Sequence, residues 1–435
     1  MKKILMSLAV SCTLVYGTTY EELAKEIKLL KEAMQEMKAE QSQTNDAMLE
    51  EIASASGDDT SKYESFSSLG EGASKVYHTS DVVSLGGYGS YQVKKYSGYK
   101  NSTSDTYNAN KNKGEFNIVR FVPYIGFKFS DSIVMNTEIE FEDGGARSDG
   151  TKNYKYAIVE FSYLDFLIDE SFSLRVGHIL TPFGLVNLNH EPTSYLTSDR
   201  PAVETYIIPS TWHTNGILAH GKMGEFEYYA GFITSPDSDN FGDAEGRFIQ
   251  QGRLGAKQYT DSFSFVARAT YNLGDGVNLG GSVMYGESEG SESGVEVSMT
   301  MAEVHATYKN HGFDIQALAS FGSLGEDVSD LPKESDVSVA DSVNGQYLTF
   351  GYNIFGLLEL KNEGYFVAEV ERLDMDANNQ TTYTDNNKFM EYTLGFAYFP
   401  DSRVALKADY KVRDYGEDAK LEDENSFTLS AGFIF

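Results

Sequence analysis

The last eleven residues, 425–435, constrain this chain most. Phe427, Leu429, Ala431, Phe433 and Phe435 fall on one side of a period-2 pattern. Thr428, Ser430 and Gly432 fall on the other, with Ile434 the one apolar exception. A strand that is apolar on one face, small and polar on the other, and ends on an aromatic residue suits the closure of a transmembrane β-barrel. The apolar row meets lipid and the polar row looks into a lumen.

The other end is consistent with export. Lys2 and Lys3 precede an apolar run from Ile4 to Tyr16 that is too short to span a bilayer, and Val15-Tyr16-Gly17 offers a cleavage site. Residues 1–17 are therefore expected to be a signal peptide. Cys12 is the only cysteine and would leave with it, because the residues ahead of it make a poor lipid-attachment site. A mature chain without thiols must draw its stability from elsewhere, and a closed hydrogen-bond ladder supplies it.

Composition fits. Tyr 29 and Phe 27 against Trp 1 and Pro 8 favour strands. A mean hydropathy of −0.36 does not speak against a membrane, since only alternate barrel residues touch lipid. The formal charge is −30, and losing Lys2 and Lys3 makes it −32, which excludes nucleic acid as a natural partner.

From residue 18 to 52 the pattern is helical. Leu23, Ile27, Leu30, Met34 and Met37 repeat at 4-3-4-3 spacing, an a/d seam that predicts a coiled coil and oligomerisation. Residues 53–81 read as a polar linker. Residues 82–435 hold sixteen alternating segments, at 82–96, 115–129, 133–142, 154–168, 172–180, 215–223, 226–234, 263–273, 277–286, 297–309, 312–322, 346–360, 364–374, 389–399, 404–413 and 425–435. Tight turns and long connections alternate between them. The expected fold is thus all-β and transmembrane: a 16-stranded antiparallel up-and-down β-barrel with an N-terminal periplasmic coiled-coil helix. Short turns and both termini would face the periplasm. Phe127, Phe129, Phe172, Tyr398, Phe433 and Phe435 cluster at one depth, as an interfacial girdle requires.

No complete catalytic motif is present and no cofactor or metal site is expected. His190-Glu191-Pro192 is not a zinc-binding helix, and the stretch from Asp237 to Asp243 departs from a calcium loop at Phe241 and Phe248. Function should lie in the lumen. Glu138, Glu140 and Glu142 share one face of the third strand and cannot point into hydrocarbon, where each charge costs several kcal/mol. The same alternation assigns Arg120, Lys128, Glu160, Arg175 and Arg268 to the interior, followed by Glu303, His305, Asp314, Glu369 and Glu371. Lys407, Asp409, Lys411 and Arg413 complete the set. Charges of both signs predict a polar, water-filled channel. The connection 181–214 carries four of the eight prolines together with His190, Glu191, Asp199, Arg200, Glu204, Trp212 and His213. A loop this long inside a compact fold is expected to be functional, and here to form a constriction.

Gly86-Gly87-Tyr88-Gly89, Arg120-Phe121-Val122, Glu138-Ile139-Glu140, Asn189-His190-Glu191-Pro192, Arg200-Pro201, Glu204 and Ile207-Ile208-Pro209-Ser210-Thr211-Trp212 resemble bacterial outer-membrane porins related to the phosphate-selective porin O/P group. The terminal strand is similar to those whose last aromatic, here Phe433 and Phe435, is read by the barrel-assembly machinery. The resemblance implies a sixteen-stranded trimeric channel. Those channels select anions with ladders of Arg and Lys, whereas this chain has 35 basic against 65 acidic residues. Acidic loops would attract cations and could meet lipopolysaccharide through divalent ions. The expectation is a homotrimeric porin for small hydrophilic solutes with a weak cation preference. The alternatives are a channel specific for phosphate or another nutrient, and a structural link from outer membrane to cell wall.

Overall fold

A computed structural model describes residues 64–97, 114–145, 147–148, 153–154, 157–242, 248–253, 261–331, 339–378, 387–415 and 424–435, with Lys28, Lys31 and Glu32 ahead of them. The chain divides into two units, Met1–Thr60 and Ser61–Phe435. In the first, Lys28, Lys31 and Glu32 are helical and Lys28 pairs with Glu32 at 4.0 Å, one turn apart. The signal segment 1–17 and the seam residues Leu23, Ile27, Leu30, Met34 and Met37 lie outside the described residues.

The second unit is a barrel. Its strands are β1 (Val83–Ser97), β2 (Gly114–Ser130), β3 (Ile133–Glu142), β6 (Ile158–Asp169), β7 (Phe172–Leu180), β8 (His213–Met223), β9 (Phe226–Thr234), β10 (Phe263–Gly274), β11 (Val277–Glu289), β12 (Glu296–Asn310), β13 (Phe313–Leu324), β14 (Ser342–Asn353), β15 (Glu363–Asp374), β16 (Lys388–Asp401), β17 (Val404–Tyr415) and β18 (Glu424–Ile434). Each pairs antiparallel with its sequence neighbour among these sixteen, and β1 pairs with β18 to close the ring. Two short strands, β4 (Arg147–Ser148) and β5 (Asn153–Tyr154), form a separate ribbon in the connection after β3.

Alternation explains the ring. On β18 the row Phe427 and Leu429 is exposed while Ser426 and Thr428 are buried inward. Ile434, the exception in the pattern, packs inward and is 4% exposed, as part of an apolar cluster inside the barrel. Closure is made backbone to backbone. Phe435 N–H donates to the Gly87 carbonyl at 2.9 Å, and Gly87 N–H donates to the Phe435 carbonyl at 3.0 Å. Glycine is needed here for space. A Cβ at Gly87 would lie 2.3 Å from the Val122 carbonyl oxygen and 2.7 Å from the Phe435 ring, and one at Gly89 would lie 2.6 Å from the Phe433 ring. The two terminal aromatics cover the glycine stretch of β1.

Three departures from the sequence expectation have local causes. The segment expected at 346–360 ends as a strand at Asn353, whose side chain accepts from Gly356 N–H and starts the short helix Ile354–Leu357. The segment expected at 154–168 begins at Ile158, because Asn153–Tyr154 belongs to the ribbon. The third change concerns the expected linker at 53–81. Residues 71–78 form a helix, α1 (Glu71–His78), and Leu69, Ala73 and Val76 are buried inside the barrel. Its serines and glycines, which resemble linker composition, instead fit tight packing. A Cβ at Gly126 on β2 would meet Val76 at 2.3 Å.

Phe435 is tied at both backbone groups to β1, and its side chain faces outward. Deleting it is expected to lower the folded, heat-modifiable barrel in outer-membrane fractions at least about tenfold, through loss of the closing pair. Normal levels of the truncated protein on an immunoblot would contradict this role.

Candidate functional site

The connection from Thr181 to Trp212 folds into the lumen because its own residues close its neck. Asn187 donates to the carbonyls of Thr181 (2.7 Å) and Trp212 (2.9 Å) and accepts from Trp212 N–H (2.6 Å). Thr181 N–H donates to the Trp212 carbonyl as well. Above this neck Phe183, Leu188, Val203, Ile207, Ile208 and Trp212 are buried with inward apolar side chains of the wall. The loop begins and ends at the rim opposite the tight turns, so it descends from that side.

The seven residues singled out in this loop occupy distinct places. Asp199 accepts from Lys94 (2.6 Å) and Gln92 (2.9 Å) on β1 and pairs with Lys411 (3.5 Å) on β17. Burial works against its charge, but Lys94 and then Lys411 outweigh it and hold the carboxyl well below the usual range. Glu204 accepts from Tyr347 (2.6 Å) and Val186 N–H (2.7 Å), and burial pushes it up to about 7. Arg200 turns back into the loop, donating to Ser210 (2.5 Å), Thr211 (3.1 Å) and the His190 carbonyl (3.2 Å). Trp212 packs near Phe183. His213 belongs to β8 and meets His178 at 2.8 Å, so the loop ends at Trp212, two residues before the expected end at 214. His190 and Glu191 are both buried, and their partners link the loop to the wall and to α1.

The wall charges hold this loop. Lys407 donates to the carbonyls of Pro192 (2.7 Å), Tyr195 (2.5 Å) and Thr197 (2.9 Å). Asp409 accepts from Ser198 N–H at 2.7 Å, and Glu371 accepts from Val203 N–H at 3.0 Å. Arg413 pairs with Glu391 at 2.7 Å and donates to Tyr206 at 3.0 Å, while Lys411 pairs with Glu391 at 2.6 Å. Glu369 accepts from Thr349, and Glu303 accepts from Ser282 and contacts His305 at 2.9 Å. Asp314 pairs with Lys309. Glu142, the last residue of β3, is exposed. Inward charge was expected to mean a water-lined wall. Instead Glu371 and Glu391 are each 1% exposed and Glu303 is 3% exposed: the loop backbone at Val203 meets Glu371, whereas Glu391 and Glu303 are engaged by side chains of the wall itself.

The second insert is residues 64–79, at the tight-turn end. Ser67 meets His220 (3.0 Å), Arg268 donates to Ser68 (3.1 Å), Ser68 bonds to Glu227, and the Tyr229 hydroxyl donates to the Ser67 carbonyl. Tyr77 donates to Asp165 at 2.8 Å, Asn136 donates to the Ala73 carbonyl at 2.8 Å, and Lys128 bonds to the Thr79 carbonyl. This plug meets the long loop inside the barrel. Glu191 accepts from the N–H groups of Gly72 (3.1 Å) and Ala73 (3.0 Å) at the start of α1, and Gly70 N–H donates to the Leu188 carbonyl. Burial pushes Glu191 up to about 7, although those N–H groups favour its charge. A Cβ at Gly70 would lie 2.4 Å from the Glu191 carboxyl.

Period-2 counting missed Asp165. A register shift between β3 and β6 at Glu138/Ile139 puts both Glu160 and Phe161 inward, so parity flips and Asp165 points inside. Asp165 binds Arg175 (2.8 Å) and His220 (2.8 Å), and Arg175 lies 4.4 Å over the Tyr163 ring. The order Ser67–His220–Asp165 has the connectivity of a hydrolase relay. Here Arg175 also claims the aspartate, and every partner is a tether of the plug. The candidate calcium loop is likewise used internally: Asp237 and Asp239 accept from the N–H groups of Ser291, Glu292 and Ser293.

No family model matches the chain. An uncharacterized protein of Aquifex aeolicus is 28% identical over 378 residues, which cover 83% of this chain and 82% of that one. The outer membrane channel DcaP of Acinetobacter baumannii is similar with a TM-score of 0.52 and 14% identity, over 81% of this chain and 97% of that one. OmpF of Salmonella typhi, in a complex with daunomycin, gives 0.51 and 12% over 81% and 97%. The chain therefore has the fold of the sixteen-stranded outer-membrane porin barrels.

Replacing Asp165 by Asn leaves Arg175 buried without its counter-charge. The barrel is expected to lose about 3 kcal/mol of stability, read as a shift in urea unfolding of the detergent-refolded protein. A shift within error of the wild type would show that Asp165 is not the plug's anchor.

Proposed function

We propose that this protein is an outer-membrane channel for passive diffusion of small hydrophilic solutes and ions, and that it performs no bond chemistry. The observation that carries this reading is the sixteen-stranded ring with an apolar outer belt, inward charges and a long loop folded inside. The plug and the 181–212 loop narrow the path from the two sides. The relay Ser67–His220–Asp165 serves attachment rather than hydrolysis. Phosphate specificity lacks the basic ladder it needs, since Lys407, Arg175 and Arg200 are each committed to the protein's own carbonyls, carboxylates or hydroxyls. Acidic residues outnumber basic ones 65 to 35 and most outer loops are acidic, so the channel carries a weak cation preference. The N-terminal seam clasps three copies on the periplasmic side, where it can also meet the cell wall. The girdle faces lipid at the periplasmic interface, the acidic outer loops meet lipopolysaccharide through divalent ions, and Phe435 is the signal for the assembly machinery.

Planar-bilayer recording tests this reading. In a KCl gradient the reversal potential is expected to have the cation-selective sign and to shrink toward about 1 M salt, where the Debye length is about 3 Å. Deleting residues 64–79 is expected to raise single-channel conductance at least about twofold. Silence of both forms, each shown folded by heat modifiability, would end the channel reading. An anion-selective potential would end the cation preference alone.

For the clasp, replacing Ile27 and Leu30 together with Asp is expected to convert trimer to monomer on native gels without unfolding the barrel, whose hydrogen bonds close within one chain. Trimers of unchanged heat resistance would remove residues 18–52 from assembly.

A further inference from the structure

Deep in the lumen, three side chains from three elements converge. Glu138 on β3, Glu160 on β6 and His190 on the long loop are 0%, 1% and 3% exposed. One donor atom from each lies within 4.8 Å of the other two. The register shift between Glu138 and Ile139 brings the two carboxylates to one level. His190 reaches them because the Asn187 neck and Arg200 fix its backbone.

The hydrogen bonding of His190 creates a conflict. Its Nδ1 lies 2.9 Å from the Asn187 carbonyl oxygen, which can only accept, so Nδ1 carries the ring proton. With the proton on Nδ1, the neutral imidazole presents its lone pair at Nε2. That lone pair faces Glu138 Oε1 at 3.2 Å and Glu160 Oε2 at 3.7 Å. Three acceptors point at one another. Glu160 Oε2 and Glu138 Oε2 are buried with no hydrogen-bond partner. Neighbouring charges do not resolve the conflict. Arg120 sits 3.7 Å from Glu140, Glu191 is held by the N–H groups of α1, and Arg200 donates to oxygens of its own loop. Two buried carboxylates thus face one imidazole nitrogen, each with an oxygen that has no hydrogen-bond partner.

We propose that Glu138, Glu160 and His190 bind a divalent transition-metal ion of the Zn2+ class, tying the 181–212 loop to the barrel wall. Tetrahedral bonds of about 2.0–2.2 Å place ligand atoms about 3.3–3.6 Å apart, and the distances from Nε2 bracket that range. One imidazole nitrogen with two carboxylates suits Zn2+ and its neighbours, whereas Ca2+ and Mg2+ take oxygen donors alone. The Nδ1–H bond to a backbone carbonyl is the usual second contact of a metal-binding histidine, fixing its tautomer and ring plane. Two negative charges balance one doubly charged ion. A fourth position is left to water. The ion would bind whether or not the barrel conducts.

The test uses the full chain, unfolded in urea with chelator and refolded in detergent with or without Zn2+ or Co2+. After gel filtration, elemental analysis is expected to find about one Zn2+ per barrel, not displaced by about a hundredfold excess of Ca2+ or Mg2+. Co2+ is expected to give the visible bands of a four-coordinate N/O site. Glu138→Gln, Glu160→Gln and His190→Gln should each weaken binding about 100-fold or more. Folding of each variant is followed by heat modifiability. If a variant does not fold, the Co2+ spectrum and metal content of the wild type decide by themselves. Wild-type barrels that refold without retaining either ion would overturn the site and leave a proton shared among the three groups. Folded variants that bind as tightly as the wild type would overturn it equally.

Discussion

Backbone amide groups in hydrocarbon have no water to turn to, so every strand must find two partners. In this protein the last two partners to be found are β1 and β18, and the bond pair between Gly87 and Phe435 sets their register. The glycines of β1 leave the space that the rings of Phe433 and Phe435 fill. Everything inside depends on that closure, because only a ring of fixed circumference presents inward groups from β17 and β18 to a loop that leaves from β7.

Within the ring the dominant economy is satisfaction of buried polar groups. A wide barrel would ordinarily solvate its inner charges. Here Lys407, Asp409, Glu371 and Arg413 meet carbonyl, amide and hydroxyl groups of the long loop. On the opposite side Asp165, His220 and Arg268 meet the plug. The two inserts join through Glu191 at the first N–H groups of α1. Charge in the lumen thus acts first as attachment for inserted chain, and only the remainder is available to bias ions. Loosening one insert changes the other, since they share the Glu191 contact.

Alternation made the sixteen strands legible, and most of their ends fall within a few residues of the observed bounds. It failed where a residue is added or a turn is made by a side chain. The register shift beside Glu138 reverses parity along β6, so Asp165 could not be assigned inside by counting. Asn353 ends β14 with a cap that the apolar run Ile354–Leu360 conceals. The stretch 64–79 looks like a linker because its glycines and serines are small. The glycines are small because Gly70 lies against the Glu191 carboxyl and Gly72 against Glu191 and the Tyr124 ring.

The sequence by itself determined the class of fold, the number of barrel strands and the outward belt. These follow from periodicity, which depends only on neighbours a fixed number of residues apart. Which inward charges meet water, which grip the loop, and which converge as Glu138, Glu160 and His190 was decided only in three dimensions. Those relations join residues more than two hundred positions apart, such as Lys407 with Pro192. They arise because a closed barrel forces distant inward side chains and the inserted chain to share one buried volume, where each polar group must find a partner.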